Sequence, residues 1–218
     1  MNADLKQTDS IIFDMDGTLW DATESYAAVW NATLEHFGSA TRFTRDDLVP
    51  YMGLSLGDIL DHVLSGQPIS NREAFIADLD KTETEMMPQL GGKPFEGMKE
   101  GLTKLKEHYH LLMVSNCSRD GLRNFSQFTG TTALFLDTMT YGENPVPKSE
   151  NIKLLIERHG LKHPIYMGDT QPDCDQAHRA GIPFAHAAYG FGSCKDAELT
   201  FNSLQQAIDY FLNLKKQQ

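Results

Sequence analysis

Short apolar runs recur along the chain, and each of them ends in polar, acidic or glycine-rich residues. They occupy residues 10–14, 111–115, 133–136, 165–169 and 183–188. Runs that are apolar at nearly every position, rather than at alternate ones, are typical of strands in a parallel sheet that is covered on both faces. The pattern therefore predicts five strands of this kind.

Segments with helical spacing lie between these runs. Residues 97–108 and 149–159 place apolar side chains three or four positions apart, and Gly160 follows the second segment as expected for a helix C-terminus. Alternating strands and helices are typical of a doubly wound α/β fold. We therefore expect a Rossmann-like core with a parallel sheet.

Residues 20–90 follow a different pattern, which is helical and contains no convincing strand. The candidate helices are 23–37, 44–51, 56–64 and 71–87, and they are separated by breakers at Gly38, Gly53, 66–68 and 91–94. Thr44, with Asp47 three residues later, is typical of a helix N-terminus. We expect an all-helical cap domain at 20–90, inserted into a core made of 1–19 and 91–218, with hinges at 18–21 and at Gly91-Gly92.

Composition and charge narrow the class of partner. The 218 residues are 40% hydrophobic and carry a net charge of −11, which argues against nucleic acid and against an anionic membrane surface as partners. Three cysteines form no disulfide framework, so a cytoplasmic protein is expected. No apolar run is long enough to cross a membrane, and the first residues do not resemble a signal peptide.

Polar residues follow the first strand at the position where an open parallel sheet presents its reactive groups. Asp14 and Asp16, followed by Gly17 and Thr18, would project from the strand end. One carboxylate can serve as a nucleophile and the other as an acid and base when their surroundings separate their pKa values. A turn that merely closes the strand is the structural alternative.

Three further features have the same character, and each also has a plainer explanation as a turn, a helix cap or a surface lysine. Ser115 and Asn116 end the second strand and can hold a phosphoryl oxygen. Lys148 stands at the start of a predicted helix, where a cation is favourable only beside an anion. Asp169 and Asp173 can complete an oxygen-rich Mg²⁺ site.

In this order, the four features resemble the motifs of the haloacid dehalogenase superfamily, over almost the whole chain. The resemblance implies that Asp14 is the nucleophile and Asp16 the general acid and base, and that Ser115 and Lys148 bind the phosphoryl group. It also implies Mg²⁺ as cofactor, with the metal ligands Asp14, Asp16 through its carbonyl, Asp169 and Asp173. The helical insertion resembles the C1 cap of the phosphoglycolate phosphatase-like subgroup, and residues 51–56 resemble its substrate-closing loop. The substrate-binding residues expected on this basis are Thr18, Asn116, Gly53, Leu54 and Ser55.

One position departs from the family's usual motif, and several others favour one activity of the family over another. Lys148 is followed by Ser149 rather than by the usual proline. Asp16 favours phosphoryl transfer over dehalogenation. Ala22 and Tyr26 stand where the family's sugar-phosphate mutases have threonine and histidine, which makes a mutase less favoured.

The sequence thus predicts a Mg²⁺-dependent phosphatase that hydrolyses a small phosphorylated metabolite, either phosphoglycolate-like or a sugar phosphate, through an aspartyl-phosphate. A phosphomutase or an inorganic pyrophosphatase on the same scaffold stays open, as does a non-catalytic regulatory domain. Either a monomer or a homodimer is expected. Trp20 and Trp30 are expected in core packing, with Trp20 close to the catalytic loop.

Overall fold

A six-stranded parallel sheet forms the centre of the protein in the computed structural model, which describes residues 5–54, 56–65, 69 and 71–216. Its strand order is β5-β4-β1-β6-β7-β8. The six strands are β1 (Ser10–Phe13), β4 (His110–Ser115), β5 (Asp137–Thr140), β6 (Pro164–Gly168), β7 (Phe184–Ala187) and β8 (Leu199–Phe201). The predicted doubly wound α/β class is confirmed.

Helices cover both faces of this sheet. On β1, Ile11 faces one hydrophobic cluster and Ile12 faces a second, so neighbouring side chains are buried on opposite sides. This explains why the strand is apolar at three successive positions, from Ile11 to Phe13. The helices of the core are α5 (Met98–Lys106), α6 (Gly121–Thr129), α7 (Lys148–His159), α8 (Gln171–Ala180) and α9 (Leu204–Lys216).

Among the described residues between β1 and α5 there are four α-helices, as the sequence predicts, and a 3₁₀ helix at Val49–Tyr51. The α-helices are α1 (Thr23–His36), α2 (Arg45–Leu48), α3 (Leu56–Val63) and α4 (Arg72–Leu90). Thr44 caps α2 through a reciprocal capping box with Asp47, which confirms the predicted helix start. Phe75 of α4 packs against the rings of Trp30 and Phe37 on α1, at centroid distances of 5.9 and 5.3 Å. The breaker at 66–68 lies outside the described residues.

One expectation for this segment is wrong, because it does contain a strand. Trp20–Asp21 forms β2, which pairs antiparallel with β3 (Lys93–Pro94). The two short strands join the beginning and the end of the helical segment, where we expected hinges. Periodicity does not reveal a strand of two residues. The division into cap and core domains remains a prediction.

The predicted strand at 133–136 is also wrong. Thr132–Leu134 forms a 3₁₀ helix, and the strand begins only at Asp137. Leu134 and Phe135 pack against the core from outside the sheet, whereas Leu136 is exposed. Strand β5 is an edge strand that is only partly buried, so it contains threonines and an aspartate instead of a continuous apolar run. Edge strand β8 has no counterpart among the sequence predictions.

The other predicted core elements agree with the structure to within a few residues. Helix α7 ends at Gly160, which has a positive φ of 60° and caps the helix as expected. Trp20 is buried in the core cluster, as predicted. Within the described part of the chain, no helix has both the length and the apolar character that a membrane span requires.

Candidate active site

The carboxyl ends of three adjacent strands supply the candidate residues. Strand β1 pairs with β4 on one side and with β6 on the other, so Asp14, Ser115 and Asp169 lie at the same edge of the sheet. Strand order rather than nearness in the chain brings these residues together. The crossover helices α7 and α8 add Lys148 and Asp173 from their first turns.

Lys148 is the central cation of the site. Its Nζ donates to Asp14 Oδ1 at 2.9 Å and to Asp173 Oδ1 at 2.6 Å, and all three side chains are 2% exposed. Burial alone would lower the pKa of Lys148, but the charges of Asp14 and Asp173 hold it well above its usual value. The ammonium therefore remains protonated and fixes the orientation of Asp14.

Three buried carboxylates offer a site for a metal ion. Oxygens of Asp14, Asp169 and Asp173 lie within 4.8 Å of one another. Asp169 Oδ2 accepts a hydrogen bond from the Phe191 N–H at 2.7 Å, whereas Asp169 Oδ1 is buried and has no hydrogen-bond partner among the described residues. A buried carboxylate oxygen without a partner is costly unless a cation or water meets it.

The electrostatics of the cluster also fit a divalent cation. Burial raises the pKa of Asp14 to about 6 and that of Asp169 well above its usual range, and neighbouring carboxylates add to both shifts. With all three carboxylates ionised, Lys148 leaves two negative charges uncompensated. A hard divalent ion would supply that charge and would keep the carboxylates ionised. The donor set, which consists only of oxygen, fits Mg²⁺ with water and phosphate as further ligands.

Two glycines make room for Asp169. A Cβ on Gly17, whose φ is +77°, would lie 2.2 Å from Asp169 Oδ2. A Cβ on Gly190 would lie 2.4 Å from both the Gly17 carbonyl oxygen and Asp169 Cβ. These distances are far below van der Waals contact, so the loop after β7 can pack onto Asp169 only through glycine.

Asp16 occupies a separate environment on the cap side of Asp14. Its Oδ1 accepts from Trp20 Nε1 at 3.0 Å and its Oδ2 from the Tyr26 hydroxyl at 3.3 Å. Burial and then the charge of Asp14 raise the pKa of Asp16 well above its usual value. Asp16 can therefore hold a proton where ordinary aspartates are ionised, as a general acid requires.

A cavity of about 670 Å³ is lined by Asp14 and Asp16 and by residues of the helical segment between β2 and β3. Ser115, Asn116, Gly53 and Leu54 all line it. Asn116 Nδ2 donates to the Gly53 carbonyl oxygen at 2.9 Å, so the loop around Gly53 is bonded directly to the residue that follows strand β4.

Thr18, which was also expected to bind substrate, is not among the residues that line the cavity. Thr18 is fully buried, and its hydroxyl has no hydrogen-bond partner among the described residues. Ser55 lies outside the described residues. Substrate binding by either residue remains a prediction, and so do the roles assigned to the other site residues.

The sequence analysis missed three residues of this site. Tyr166 points from β6 to within 3.5 Å of Asp14 Oδ1 while it donates to the Val114 carbonyl at 2.9 Å, and nothing in an apolar run distinguishes such a tyrosine. The sequence indicated Tyr26 only as a residue that disfavours mutase activity. Glu83 of α4 also lines the cavity. Its helical spacing from Leu79, one turn before it, could have placed it on the buried stripe.

Comparison with known proteins gives the family. Residues 11–187 match the family model of the haloacid dehalogenase-like hydrolases. Pyrophosphatase PpaX of Bacillus velezensis is 27% identical over 84% of this chain and 85% of its own length, and phosphoglycolate phosphatase of Aquifex aeolicus is 27% identical over 83% and 85%. The crystal structure of a predicted phosphoglycolate phosphatase from Haemophilus somnus shares the fold, with a TM-score of 0.81 at 19% identity over 94% of this chain and 98% of that one. This chain therefore belongs to the haloacid dehalogenase-like hydrolase family.

Proposed function

We propose that this hydrolase is a Mg²⁺-dependent phosphatase that cleaves small phosphomonoesters through an aspartyl-phosphate on Asp14. One observation carries the proposal. Asp14 lies between a fixed ammonium and an oxygen-only cation site on one side, and a carboxyl group with a raised pKa, Asp16, on the other. Nucleophilic attack on a phosphate requires this combination of charge neutralisation and a nearby acid.

In the first half-reaction, the Asp14 carboxylate forms a bond to phosphorus as the bond to the leaving oxygen breaks. Asp16 gives its proton to that oxygen, so the leaving group departs as an alcohol. Lys148 and Ser115 bind oxygens of the phosphoryl group. When bound at Asp14, Asp169 and Asp173, Mg²⁺ would neutralise the phosphate and reduce its repulsion from the nucleophile.

In the second half-reaction, the Asp16 carboxylate takes a proton from a water molecule as the water oxygen attacks phosphorus. The bond between phosphorus and Asp14 breaks, and inorganic phosphate and the original carboxylate result. Trp20 and Tyr26 support both steps, because their donors hold the Asp16 carboxyl group in one orientation.

The substrate is a small molecule on this proposal, since the cavity has the volume of an ordinary metabolite site. Phosphoglycolate-like compounds and sugar phosphates are the classes that follow from the sequence. The name of the Bacillus velezensis relative makes inorganic pyrophosphate a second candidate.

A direct test measures phosphate release from p-nitrophenyl phosphate and from a panel of phosphorylated metabolites, with Mg²⁺ and after EDTA treatment. We expect turnover only with Mg²⁺, and loss of turnover in Asp14→Asn with an unchanged thermal melt. Acid quenching should trap a phosphoryl label on the wild-type protein. Substantial turnover by a folded Asp14→Asn variant would disprove the assignment of the nucleophile. A phosphoenzyme that persists in water would favour the mutase, and no turnover at all would favour the regulatory domain.

A further inference from the structure

The wall of the cavity opposite Asp14 is largely apolar. Its side chains come from the cap segment, and we call this surface the cap wall. The residues that define it are Trp30, Leu48, Met52, Leu54, Ile59 and Leu79. The phosphoryl group belongs at the strand ends, so the cap wall faces the leaving group of the substrate. An apolar surface of this kind favours a leaving group with an apolar body.

Glu83 is the carboxylate that interrupts this surface. It lies on α4, one helical turn after Leu79, and it lines the same cavity. Its Oε1 accepts a hydrogen bond from the Ser118 hydroxyl at 2.6 Å. No Lys, Arg or His side chain in the described part of the chain lies within ion-pair distance of it, although other surface carboxylates do form such pairs. Glu83 thus has no ion-pair partner among the described residues.

The remaining charges around the cap side of the cavity do not compensate it. Asp80, Glu85 and Asp120 line the cavity as well. Glu85 and Asp120 are paired with Lys81 and Arg123, at 4.0 and 3.0 Å, and Arg119 is exposed. A leaving group that carried a second negative charge would therefore meet Glu83 and Asp80, neither of which has an ion-pair partner among the described residues. Burial, with smaller contributions from Asp80 and Asp120, raises the pKa of Glu83 to about 7.

We propose that the physiological substrate is a phosphomonoester whose leaving group has an apolar body, carries no negative charge, and donates a hydrogen bond from a hydroxyl or ammonium group to Glu83. Glu83 is on this view the residue that selects the leaving group. The inference rests on the proposed function, because it takes the cavity to be the phosphatase site. It disfavours phosphoglycolate and pyrophosphate, both of which carry further negative charge beyond the transferred phosphoryl group.

Three aryl phosphates test the inference because they share one scaffold and differ in charge. They are 4-(aminomethyl)phenyl, 4-(hydroxymethyl)phenyl and 4-carboxyphenyl phosphate. We would measure kcat and KM for each at about pH 8, above the pKa of Glu83, with Mg²⁺ and with p-nitrophenyl phosphate as a reference substrate. The variants are Glu83→Gln and, as a control, Glu73→Gln, which removes the same charge from an exposed position on the same helix.

In the wild type and in Glu73→Gln, we expect kcat/KM for the aminomethyl compound to exceed that for the carboxy compound by about tenfold or more, mainly through KM. The hydroxymethyl compound should lie between them. In Glu83→Gln the two extremes should approach each other to within about threefold, because the charge that distinguishes them is gone. Ser118→Ala removes only the hydrogen bond to Glu83, so it should retain the wild-type order.

The possible failures are distinguishable. No Mg²⁺-dependent turnover of any of the four compounds by the wild type would overturn the proposed function and this inference with it. Turnover with the carboxy compound preferred, or with an order that Glu83→Gln leaves unchanged, would overturn the inference and leave the phosphatase intact. If Glu83→Gln does not fold, the wild-type order decides the question, because turnover with the carboxy compound equal to or preferred over the aminomethyl compound overturns the inference.

Discussion

Replacing Glu83 by glutamine should stabilise the folded protein above about pH 7 and should change its stability little near pH 4. The folded protein holds the proton on Glu83 more tightly than the unfolded chain does, since the pKa rises from 4.5 to about 7 on folding. The folded state therefore binds more protons between these values, and the wild type loses stability as pH rises from about 4.5 to about 7. Glutamine does not titrate, so the variant does not lose stability as the pH rises through this range.

The structure sets the size of the effect. Each pKa unit corresponds to about 1.4 kcal/mol, so a rise from 4.5 to about 7 gives an upper bound of about 3 kcal/mol. The side chain is open to the cavity on one side, and water there reduces the penalty to about 1–2 kcal/mol. Burial causes most of this penalty, and the charges of Asp80 and Asp120 add to it. Together with burial, the charge of Glu83 in turn raises the pKa of Asp16, Tyr26 and Cys117.

Urea unfolding at a series of pH values from about 4 to about 8.5 would measure this effect. The metal-free protein is used throughout, because Mg²⁺ binding would add its own pH dependence. At pH 8 we expect the free energy of unfolding of Glu83→Gln to exceed that of the wild type by about 1–2 kcal/mol, and its melting temperature in a parallel thermal melt to lie about 2–8 °C higher. Ser118 can still donate to the amide oxygen, so the hydrogen bond is not lost with the charge.

Glu73→Gln is the matched control, because it makes the same substitution at an exposed position of α4. It should follow the wild type at every pH. The reasoning would be refuted if Glu83→Gln were no more stable than the wild type at pH 8. A gain of equal size at pH 4 would refute it too, since the carboxyl group is then protonated in both states.

Three further predictions concern the metal, the loop after β7 and the cap loop. Mg²⁺ should be required for turnover and excess Ca²⁺ should inhibit, because Ca²⁺ accepts more ligands at longer range and would displace Asp14; full activity after exhaustive EDTA treatment would contradict this. Gly190→Ala should weaken Mg²⁺ binding by tenfold or more and lower the melting temperature, because its Cβ would meet Asp169 at 2.4 Å; calorimetry would measure the affinity, Gly160→Ala at the end of α7 is a control for general destabilisation away from the site, and unchanged affinity would be the contrary result. Leu54→Ala should lower kcat/KM strongly for the best metabolite and weakly for p-nitrophenyl phosphate; equal losses would mean that the loop serves catalysis or stability rather than selection.

Burial on both faces made the central strands predictable. Strands β1 and β6 are apolar at most positions because helices cover both sides, so their ends, and with them Asp14 and Asp169, could be located from the sequence alone. The edge strands were not predictable in this way. Strand β5 is partly exposed and polar, so the apolar run before it, which packs as a 3₁₀ turn, was mistaken for the strand.

Some residues of the candidate site could likewise be predicted from the sequence, and others could not. Motif spacing located Asp14, Lys148 and Asp173, although only the structure shows that Lys148 Nζ bonds both carboxylates at once. Glu83 belongs to no motif. Its spacing from Leu79 is a local signal for the buried stripe of α4, but its contact with Ser118 depends on how α4 packs over the loop after β4, and such long-range packing cannot be read from helical spacing.

Buried negative charge is partly offset at the strand ends but not beside Glu83, and this difference indicates what the site binds. At the strand ends, Lys148 offsets part of the charge of Asp14 and Asp173, and a divalent cation bound there would offset the rest. On the cap side, Glu83 has no comparable partner among the described residues, and its raised pKa means that ionising it costs stability. A neutral residue would avoid that cost, so the carboxylate is best explained by a role in binding. A ligand that donates to Glu83 would lower its pKa, restore the lost stability and strengthen closure of the cap over the substrate. Substrate recognition and the stability penalty at Glu83 are then two measures of the same unpaired charge.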